Sequence, residues 1–337
     1  MQTLLITGGA GYIGSVIAYH AIEKGNICII LDHKKELPFA LQNQRLVKHI
    51  CADYGNMHIL QSIFSTYNVD TVIHCASYIE VGESVKDPLR YYDNNVSKTI
   101  SLLRIMHEHD IKNIIFSSSC AVYGAPQFLP LTENHPRLPM SPYGNTKYMI
   151  EQLLEDCCMA YGFNVVALRY FNAAGALPEV GLGECHEPET HLIPRILEAA
   201  LHDQPISIFG KDYDTPDGTC IRDFIHVSDL AQAHLKSIDF LEKNKGFHAF
   251  NVGSGIGSSI LELIEILKHC LQKDIQIDWQ NRRLGDPAIL IADCSKTFEL
   301  LNFNPQFNLL RILQSAMEFK YIYKQRVNNG LNRQIVK

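Results

Sequence analysis

The chain has 337 residues, 46% of them hydrophobic and 20% charged, enough to bury a large core in two lobes. Its formal net charge of −6 comes without a run of like charges, which argues against a nucleic-acid or anionic-membrane partner, and no apolar stretch reaches the ~18 residues of a membrane span. The 10 cysteines are scattered without a C-x-x-C pattern and the first strand-like run begins at once, so reduced thiols and a cytoplasmic location are expected.

That first run, Thr3 to Thr7, flows into Gly8, Gly11 and Gly14, after which Ile13, Ile17 and Ala21 recur at helical spacing. Strand, glycine turn and helix start together let the backbone approach a pyrophosphate closely, while the helix N-terminus offers free N–H groups. A second apolar run over 27–31 ends at Asp32, where a carboxylate suits an adenosine ribose diol and repels a 2′-phosphate. The expected cofactor is therefore NAD.

Strand and helix keep alternating: strand 46–50 leading to Asp53, helix 57–67, and strand 71–75, whose end places Cys75, Ala76 and Ser77 at the ligand edge. Pro88 opens a long helix expected from 89 to about 109, and strand 113–117 ends in Ser117-Ser118-Ser119. After a proline-rich loop, Tyr143 and Lys147 stand four residues apart and share one helical face. A phenol, with its usual pKa of about 10, is a poor base at neutral pH; an ammonium alongside favours its phenolate. With Ser119 bonding the same substrate hydroxyl, the three form a base, an electrostatic tuner and an orienting group.

Strand 164–169 follows, and the enrichment in glycine, proline and acids from Gly175 to Thr190 marks a boundary. Residues 1–174 are expected to form a nucleotide-binding unit and 175–337 mainly a smaller α/β substrate unit, with some elements returning to the first lobe. Its expected elements are a helix from Ile193, strand 206–209, a helix from Ser228, strand 249–252, a helix from Ser258, strand 275–279 and helices after Asp293. Cys185, His186, Glu187, Glu189 and His191 lie close together, but no second ligand pair follows at site-like spacing, so a polar loop is expected and no metal. The fold class is α/β, with a doubly wound parallel sheet and the smaller unit beside it.

Gly8-x-x-Gly11-x-x-Gly14, Ser117-Ser118-Ser119, Tyr143-x-x-x-Lys147 and Arg169-Tyr170-Phe171-Asn172 together resemble the extended short-chain dehydrogenase/reductase family. Arg222-Asp223-Phe224-Ile225-His226-Val227 and Gly285-Asp286-Pro287-Ala288 resemble its sugar-nucleotide 4-epimerase branch, and the similarity runs nearly the full length. The resemblance implies a Rossmann-type fold, a retained NAD and a homodimer through helices 89–109 and 147–161. It also implies interconversion of UDP-glucose and UDP-galactose through a transient 4-keto sugar.

Residue by residue, it implies Tyr12 and Ile13 at the pyrophosphate, Asp32 at the ribose, Asp53 and Tyr54 at the adenine, and Asn94, Lys147 and Phe171 at the nicotinamide half. Ser119 and Tyr143 would flank the sugar 4-hydroxyl, Asn172, Leu192, Arg222 and Arg283 hold the diphosphate, and Ser207 and Phe209 surround the uracil. Asp286 and Leu290 complete the implied substrate pocket. Leu290 stands where members restricted to unacetylated hexoses carry a tyrosine, which leaves room for an N-acetyl group and makes a UDP-N-acetylglucosamine 4-epimerase the runner-up. Cys120-Ala121 replaces the Asp-Glu pair of dehydratases and argues against water elimination. A UDP-uronate epimerase or decarboxylase and an idle NAD(H) sensor remain as further alternatives, although a sensor has no need of Ser119, Tyr143 and Lys147 together.

Overall fold

A computed structural model describes residues 1–283 and 286–328; Gly285 of the Gly-Asp-Pro-Ala motif lies outside the described residues. Strand β1 (Thr3–Thr7) is covered on both faces and so reads as an unbroken apolar run. The chain turns through the glycines into α1 (Tyr12–Glu23) and returns as β2 (Ile27–Asp32), β3 (Val47–Cys51), α2 (Met57–Thr66) and β4 (Thr71–His74). Asn56 starts α2 by accepting the His58 and Ile59 N–H groups, satisfying two donors that lack helical partners.

The helix expected over 89–109 is not continuous. After α3 (Val81–Lys86), Pro88 opens α4 (Pro88–Tyr91), a π-helical turn spans Tyr92–Ser97, and α5 (Lys98–Glu108) follows. The widened turn buries Asn95, whose side chain binds the Tyr78 N–H and C=O at 2.8 and 3.0 Å and the Thr146 hydroxyl at 3.1 Å. Then come β5 (Asn113–Ser119), α6 (Pro142–Tyr161), β6 (Asn164–Tyr170), β7 (Asn172–Ala174), the hairpin β8 (Ala176–Leu177) and β9 (Leu182–Gly183), α7 (Leu192–Leu201) and β10 (Ile206–Phe209). The rest of the chain forms β11 (Ile221–His226), α8 (Val227–Lys243), β12 (Gly246–Val252), β13 (Gly257–Ser259), α9 (Ile260–Leu271), β14 (Ile277–Gln280), β15 (Ile289–Leu290), α10 (Ser295–Leu300) and α11 (Leu309–Asn328).

Seven strands form one parallel sheet in the order β12-β6-β5-β4-β1-β2-β3. This is the Rossmann-type doubly wound sheet, and the direction of winding reverses between β1 and β4, which opens a crevice at their carboxyl ends. Leu4 and Ile6 face α1 and α8 on one side of the sheet, while Leu5 faces the layer of α2, α5 and α6 on the other. Thus α8 and β12, although beyond residue 175, complete the first lobe.

The second lobe is built on β11, which pairs antiparallel with β13 and parallel with β15 and β7, and on the parallel pair β10 and β14. Ile196, Ile208, Leu263 and Leu313 form its core. The helix expected from Ser258 begins at Ile260, because Ser258 pairs with β11 and Ser259 makes a capping box with Glu262. The strand expected over 275–279 is shifted to 277–280. Among the described residues no helix is long and apolar enough to cross a membrane.

One carboxylate fastens the two lobes. Asp223, fully buried in β11, accepts the Ser254 N–H and hydroxyl at 2.7 Å each, the Gly255 N–H at 3.0 Å and the Ala292 N–H at 3.1 Å. Gly253, where the chain leaves β12, must lack a side chain because a Cβ there would stand 2.5 Å from an Asp223 oxygen. Asp223→Ala strands these donors away from water and is expected to cost about 3 kcal/mol or more, read as a lower urea midpoint. An unchanged midpoint would remove this role.

Candidate active site

The cleft begins with backbone. Gly8 has a φ of +71°, and a Cβ there would stand 2.7 Å from the Ala76 amide nitrogen, so only glycine lets the end of β1 pass this close to the end of β4. A Cβ on Gly14 would meet the Gly8 carbonyl oxygen at 2.3 Å. Gly11 stands at the N-cap of α1 with no side-chain cap, so the first turn around Tyr12 and Ile13 presents its amides and its dipole to the cleft. Asp32, nearly buried at the end of β2, accepts the Ala10 and Lys34 N–H groups at 3.0 Å each and so fixes the glycine loop with its carboxylate facing the crevice.

The residues expected around the far end of a dinucleotide form one linked group. Asp53 pairs with Lys98 at 2.5 Å; partial burial acts to raise its carboxyl, but the Lys98 ammonium and the Gly55 N–H outweigh that and hold it below the usual value. Lys98 also donates to the Asn94 side chain at 3.1 Å, and the buried Tyr54 hydroxyl donates to the Asn94 carbonyl. Cys75 accepts from the Ser117 hydroxyl at 3.2 Å, and burial pushes its thiol up to about 11. Ala76 N–H reaches Thr7 Oγ1 at 3.4 Å, and Ser77 turns its hydroxyl onto the Tyr78 carbonyl at 3.0 Å.

At the end of β5, Ser119 Oγ accepts the Ala121 N–H at 3.1 Å, and its hydroxyl lies near enough to the Tyr143 phenol to favour the phenolate. Gly144 makes that approach possible, since a Cβ there would lie 2.7 Å from the Ala121 carbonyl oxygen. Lys147, one turn further along α6, is buried and donates to the Ser117 carbonyl at 2.8 Å, with its Nζ 5.8 Å from the Tyr143 ring centre.

The electrostatics differ from the sequence expectation. Burial pushes the Tyr143 phenol up to about 12, with the Ser119 bond pulling the other way, and burial pushes the Lys147 ammonium down to about 8 against the pull of Cys75 and Glu151. In the protein alone desolvation therefore dominates over the lysine charge at Tyr143. A phenolate there needs a further positive charge in the cleft.

From the second lobe, Arg222 pairs with Asp286 at 2.5 Å and donates to its neighbour's carbonyl on Ile221 at 2.8 Å, while Tyr213 donates to the other Asp286 oxygen at 3.3 Å. Leu290 sits opposite Arg222 in the β11–β15 ladder and packs in one apolar cluster with Cys120 and Phe171, which joins this lobe to the edge carrying Ser119. Burial pushes the Cys120 thiol up to about 12, with the Arg222 charge pulling the other way. Asn172 pins β7 against β11 through the Asp223 carbonyl at 2.8 Å, and Leu192 opens α7.

Ser207, Phe209 and Arg283 form a separate group. The Arg283 guanidinium lies 4.1 Å over the Phe209 ring, and Ser207, two residues before it on the same half-buried face of β10, bonds Asp278 at 3.3 Å.

Glu151 was not singled out from the sequence. Fully buried and one turn beyond Lys147, it accepts from Ser118 at 2.6 Å, from both ends of the Arg169 guanidinium at 2.7 and 3.0 Å, and from Arg137 at 3.1 Å. The available signal was its i+4 spacing from Lys147, continuing the Tyr143–Lys147 face. A roomy recess of about 510 Å³ lies elsewhere, between Glu133, Arg137, Glu155 and Lys296. Arg137 there is already paired with Glu155 at 2.8 Å, and Ser119, Tyr143 and Lys147 are not among the lining residues, so the strand-end crevice is the candidate site.

Comparison with known proteins gives the same answer from an independent direction. The family model described as "NAD dependent epimerase/dehydratase family" matches residues 4–253. A UDP-glucose 4-epimerase of Halalkalibacterium halodurans is 44% identical over 93% of this chain and 93% of its own. A crystal structure of UDP-glucose 4-epimerase from Bifidobacterium longum in complex with NAD+ and UDP superposes with a TM-score of 0.89 at 36% identity, covering 98% of this chain and 99% of that one. A structure of the UDP-Glc/GlcNAc 4-epimerase of Campylobacter jejuni superposes with a TM-score of 0.83 at 37% identity, covering 95% and 99%. The Gly8–Gly14 cradle, the Ser119–Tyr143–Lys147 edge and these full-length similarities agree, and the chain belongs to the NAD dependent epimerase/dehydratase family.

Proposed function

We propose that the protein is an NAD-dependent 4-epimerase that interconverts UDP-glucose and UDP-galactose. The observation that carries the reading is the buried Tyr143 phenol beside Ser119 with the buried Lys147 one turn behind it, all at the mouth of a dinucleotide crevice. The crevice fits NAD: Gly8, Gly11 and Gly14 leave a cradle that side chains would fill, the start of α1 is uncapped, and a nearly buried Asp32 carboxylate closes the ribose end. Tyr12 and Ile13 would hold the pyrophosphate, Asp53 and Tyr54 the adenine end, Cys75, Ala76 and Ser77 the inner wall, and Asn94, Lys147 and Phe171 the nicotinamide half. Bound there, NAD supplies the hydride acceptor for sugar carbon 4, the source of its return, and a positive charge beside the phenol.

Tyr143, once ionised, takes the proton of the 4-hydroxyl as carbon 4 loses its hydride, which leaves a 4-keto sugar. Ser119 orients that oxygen throughout. The keto sugar turns about its bond to the diphosphate, hydride returns to its opposite face, and Tyr143 gives the proton back to the new hydroxyl, so the net redox change is zero. Arg222 and Arg283, with Asn172 and the start of α7 at Leu192, would grip the diphosphate; Ser207 and Phe209 would hold the uracil, and Asp286 orients Arg222. Gripping the nucleotide and leaving the hexose loose puts binding energy where it does not oppose rotation.

A second reading, in which N-acetylated UDP-hexoses are also turned over, is favoured by Leu290, half-buried against Cys120 and Phe171 where a larger side chain would narrow the pocket. A homodimer is supported by apolar side chains left facing outward on α4, α5 and α6, namely Leu89, Ile100, Met149, Met159 and Tyr161. All 10 cysteines are free, which suits a cytoplasmic location.

Purified protein given UDP-galactose without added cofactor is expected to form UDP-glucose, read from the anomeric proton signals by NMR, and Tyr143→Phe to lose at least ~100-fold in turnover while binding UDP as before. Retention of most activity by that variant would overturn the assignment of the base, and no turnover of any UDP-hexose even with NAD added would favour the sensor alternative. UDP-N-acetylgalactosamine in a parallel tube decides the second reading.

Lys147 gives a further expectation with a definite sign. Its folded pKa of about 8 lies below the unfolded value of 10.5, so the unfolded chain binds more protons between them and stability rises with pH through that window. Lys147→Met should therefore leave the protein at least as stable at pH 7, by up to about 3 kcal/mol less the lost bond to Ser117, while turnover collapses. A lower thermal midpoint at pH 7 would contradict it. Sedimentation should show a dimer that Met149→Asp with Ile100→Asp converts to monomer; a wild-type monomer would sink the dimer proposal.

A further inference from the structure

Between β9 and α7 the chain places Glu184, His186, Glu189 and His191 within eight residues, and one donor atom from each lies within 4.8 Å of the others. The sequence predicts a polar loop over Cys185–His191; Glu184 lies just outside that stretch, and the fold brings it in. Histidine Nδ1 to carboxylate oxygen distances are 2.7 Å for His191–Glu184, 3.4 Å for His186–Glu184, 3.6 Å for His191–Glu189 and 3.9 Å for His186–Glu189. Ligand atoms at ordinary zinc bond lengths sit ~3.3–3.6 Å apart along the edges of a tetrahedron, and these four distances bracket that spacing.

Two features set the cluster apart from an ordinary pair of His–Glu ion pairs. Both Nδ1 atoms are closed off from solvent, yet neither makes a hydrogen bond. With an oxygen as near as 2.7 Å from His191, that means the ring nitrogen does not point along the line to its neighbour. Nitrogens and oxygens clustered this closely, without aligned bonds between them, suit a shared ion better than pairwise bonding. The second feature is the oxygen partner already held in place: the His186, Thr190 and His191 N–H groups donate to the Glu189 carboxylate at 3.3, 2.9 and 2.9 Å, the outer support that oriented ligands usually have. With both imidazoles deprotonated, as ligation requires, two carboxylates and two imidazoles carry a charge that one divalent cation cancels, and the mixed N/O set suits a borderline ion such as Zn²⁺.

The cluster lies on the seam between the lobes. Thr190 donates to Glu80 just before α3 at 2.8 Å, and His191 directly precedes α7. We propose that Glu184, His186, Glu189 and His191 bind a divalent cation of the zinc class, a structural clasp that fastens segment 184–191 across the mouth of the cleft. The proposal stands independently of the epimerase reading.

The test uses the full-length protein, stripped with chelator and titrated first with Co²⁺ and then with Zn²⁺. One equivalent of Co²⁺ is expected to give the intense visible bands of a four-coordinate ion without thiolate charge transfer, Zn²⁺ to displace it, and Zn²⁺ to raise the thermal midpoint. His186→Gln and Glu184→Gln should each weaken Co²⁺ binding at least tenfold, and Cys185→Ser should leave it unchanged. No saturable equivalent, a pale six-coordinate spectrum in the wild type, or equal binding by wild type and H186Q would each overturn the proposal and leave the cluster as an ion-pair latch. The wild-type spectrum decides the matter even if a variant fails to fold.

Discussion

The cleft depends first on how closely a helix approaches the turn that precedes it. A side chain at residue 14 would put its Cβ 2.3 Å from the Gly8 carbonyl oxygen and force α1 off the end of β1, while one at residue 8 would stand 2.7 Å from the Ala76 amide and push away the end of β4. The start of α1 would then no longer face the point where the sheet reverses its winding, and Asp32 would lose the Ala10 amide that it holds at 3.0 Å. The position of everything further along, from the Ser119 edge to the arginine of the second lobe, is set relative to that contact. Two missing side chains thus determine where a charged ligand is able to lie.

Burial acts on the same edge, because Tyr143 and Lys147 are placed where being charged is costly. Tyr143 and Lys147 are both disfavoured as ions, in opposite directions, and both are partly compensated: Ser119 favours the phenolate, while Lys147 rests on a carbonyl with Glu151 within range of its charge. Glu151 is itself neutralised by Arg169 and Arg137 at 2.7 and 3.1 Å, so a buried chain of alternating charge runs behind the active edge.

How much of this was legible in the sequence varied with the kind of signal. The alternating strands and helices of the first lobe, the glycines, Asp32 and the Tyr143–Lys147 face were all readable, because parallel strands buried on both sides are continuous apolar runs and helices carry a clear period. The strand β11 was not, since Arg222, Asp223 and His226 interrupt its apolar pattern, and Asp223 is polar because it bonds four donors that only the fold brings together. The π-helical turn at Tyr92–Ser97 was hidden for a similar reason: Asn95 is held by Tyr78 and by Thr146, which is 51 residues away. The relative weight of burial and charge at Tyr143 was also beyond the spacing of two residues, because desolvation is a property of the whole surrounding shell.

Strand β12 bears on how the molecule is made. It pairs with β6 along all seven residues, Gly246 with Asn164 through Val252 with Tyr170, and the segment between them includes most of the strands of the other lobe. During synthesis from the N-terminus, β6 must therefore wait as an open sheet edge until residue 252 has emerged. All seven residues of β6 are buried in the finished protein, so that waiting edge is apolar and unpaired, the kind of surface that invites pairing with another chain. The interleaving of the two lobes thus leaves one edge of the nascent first lobe open until β12 has been made.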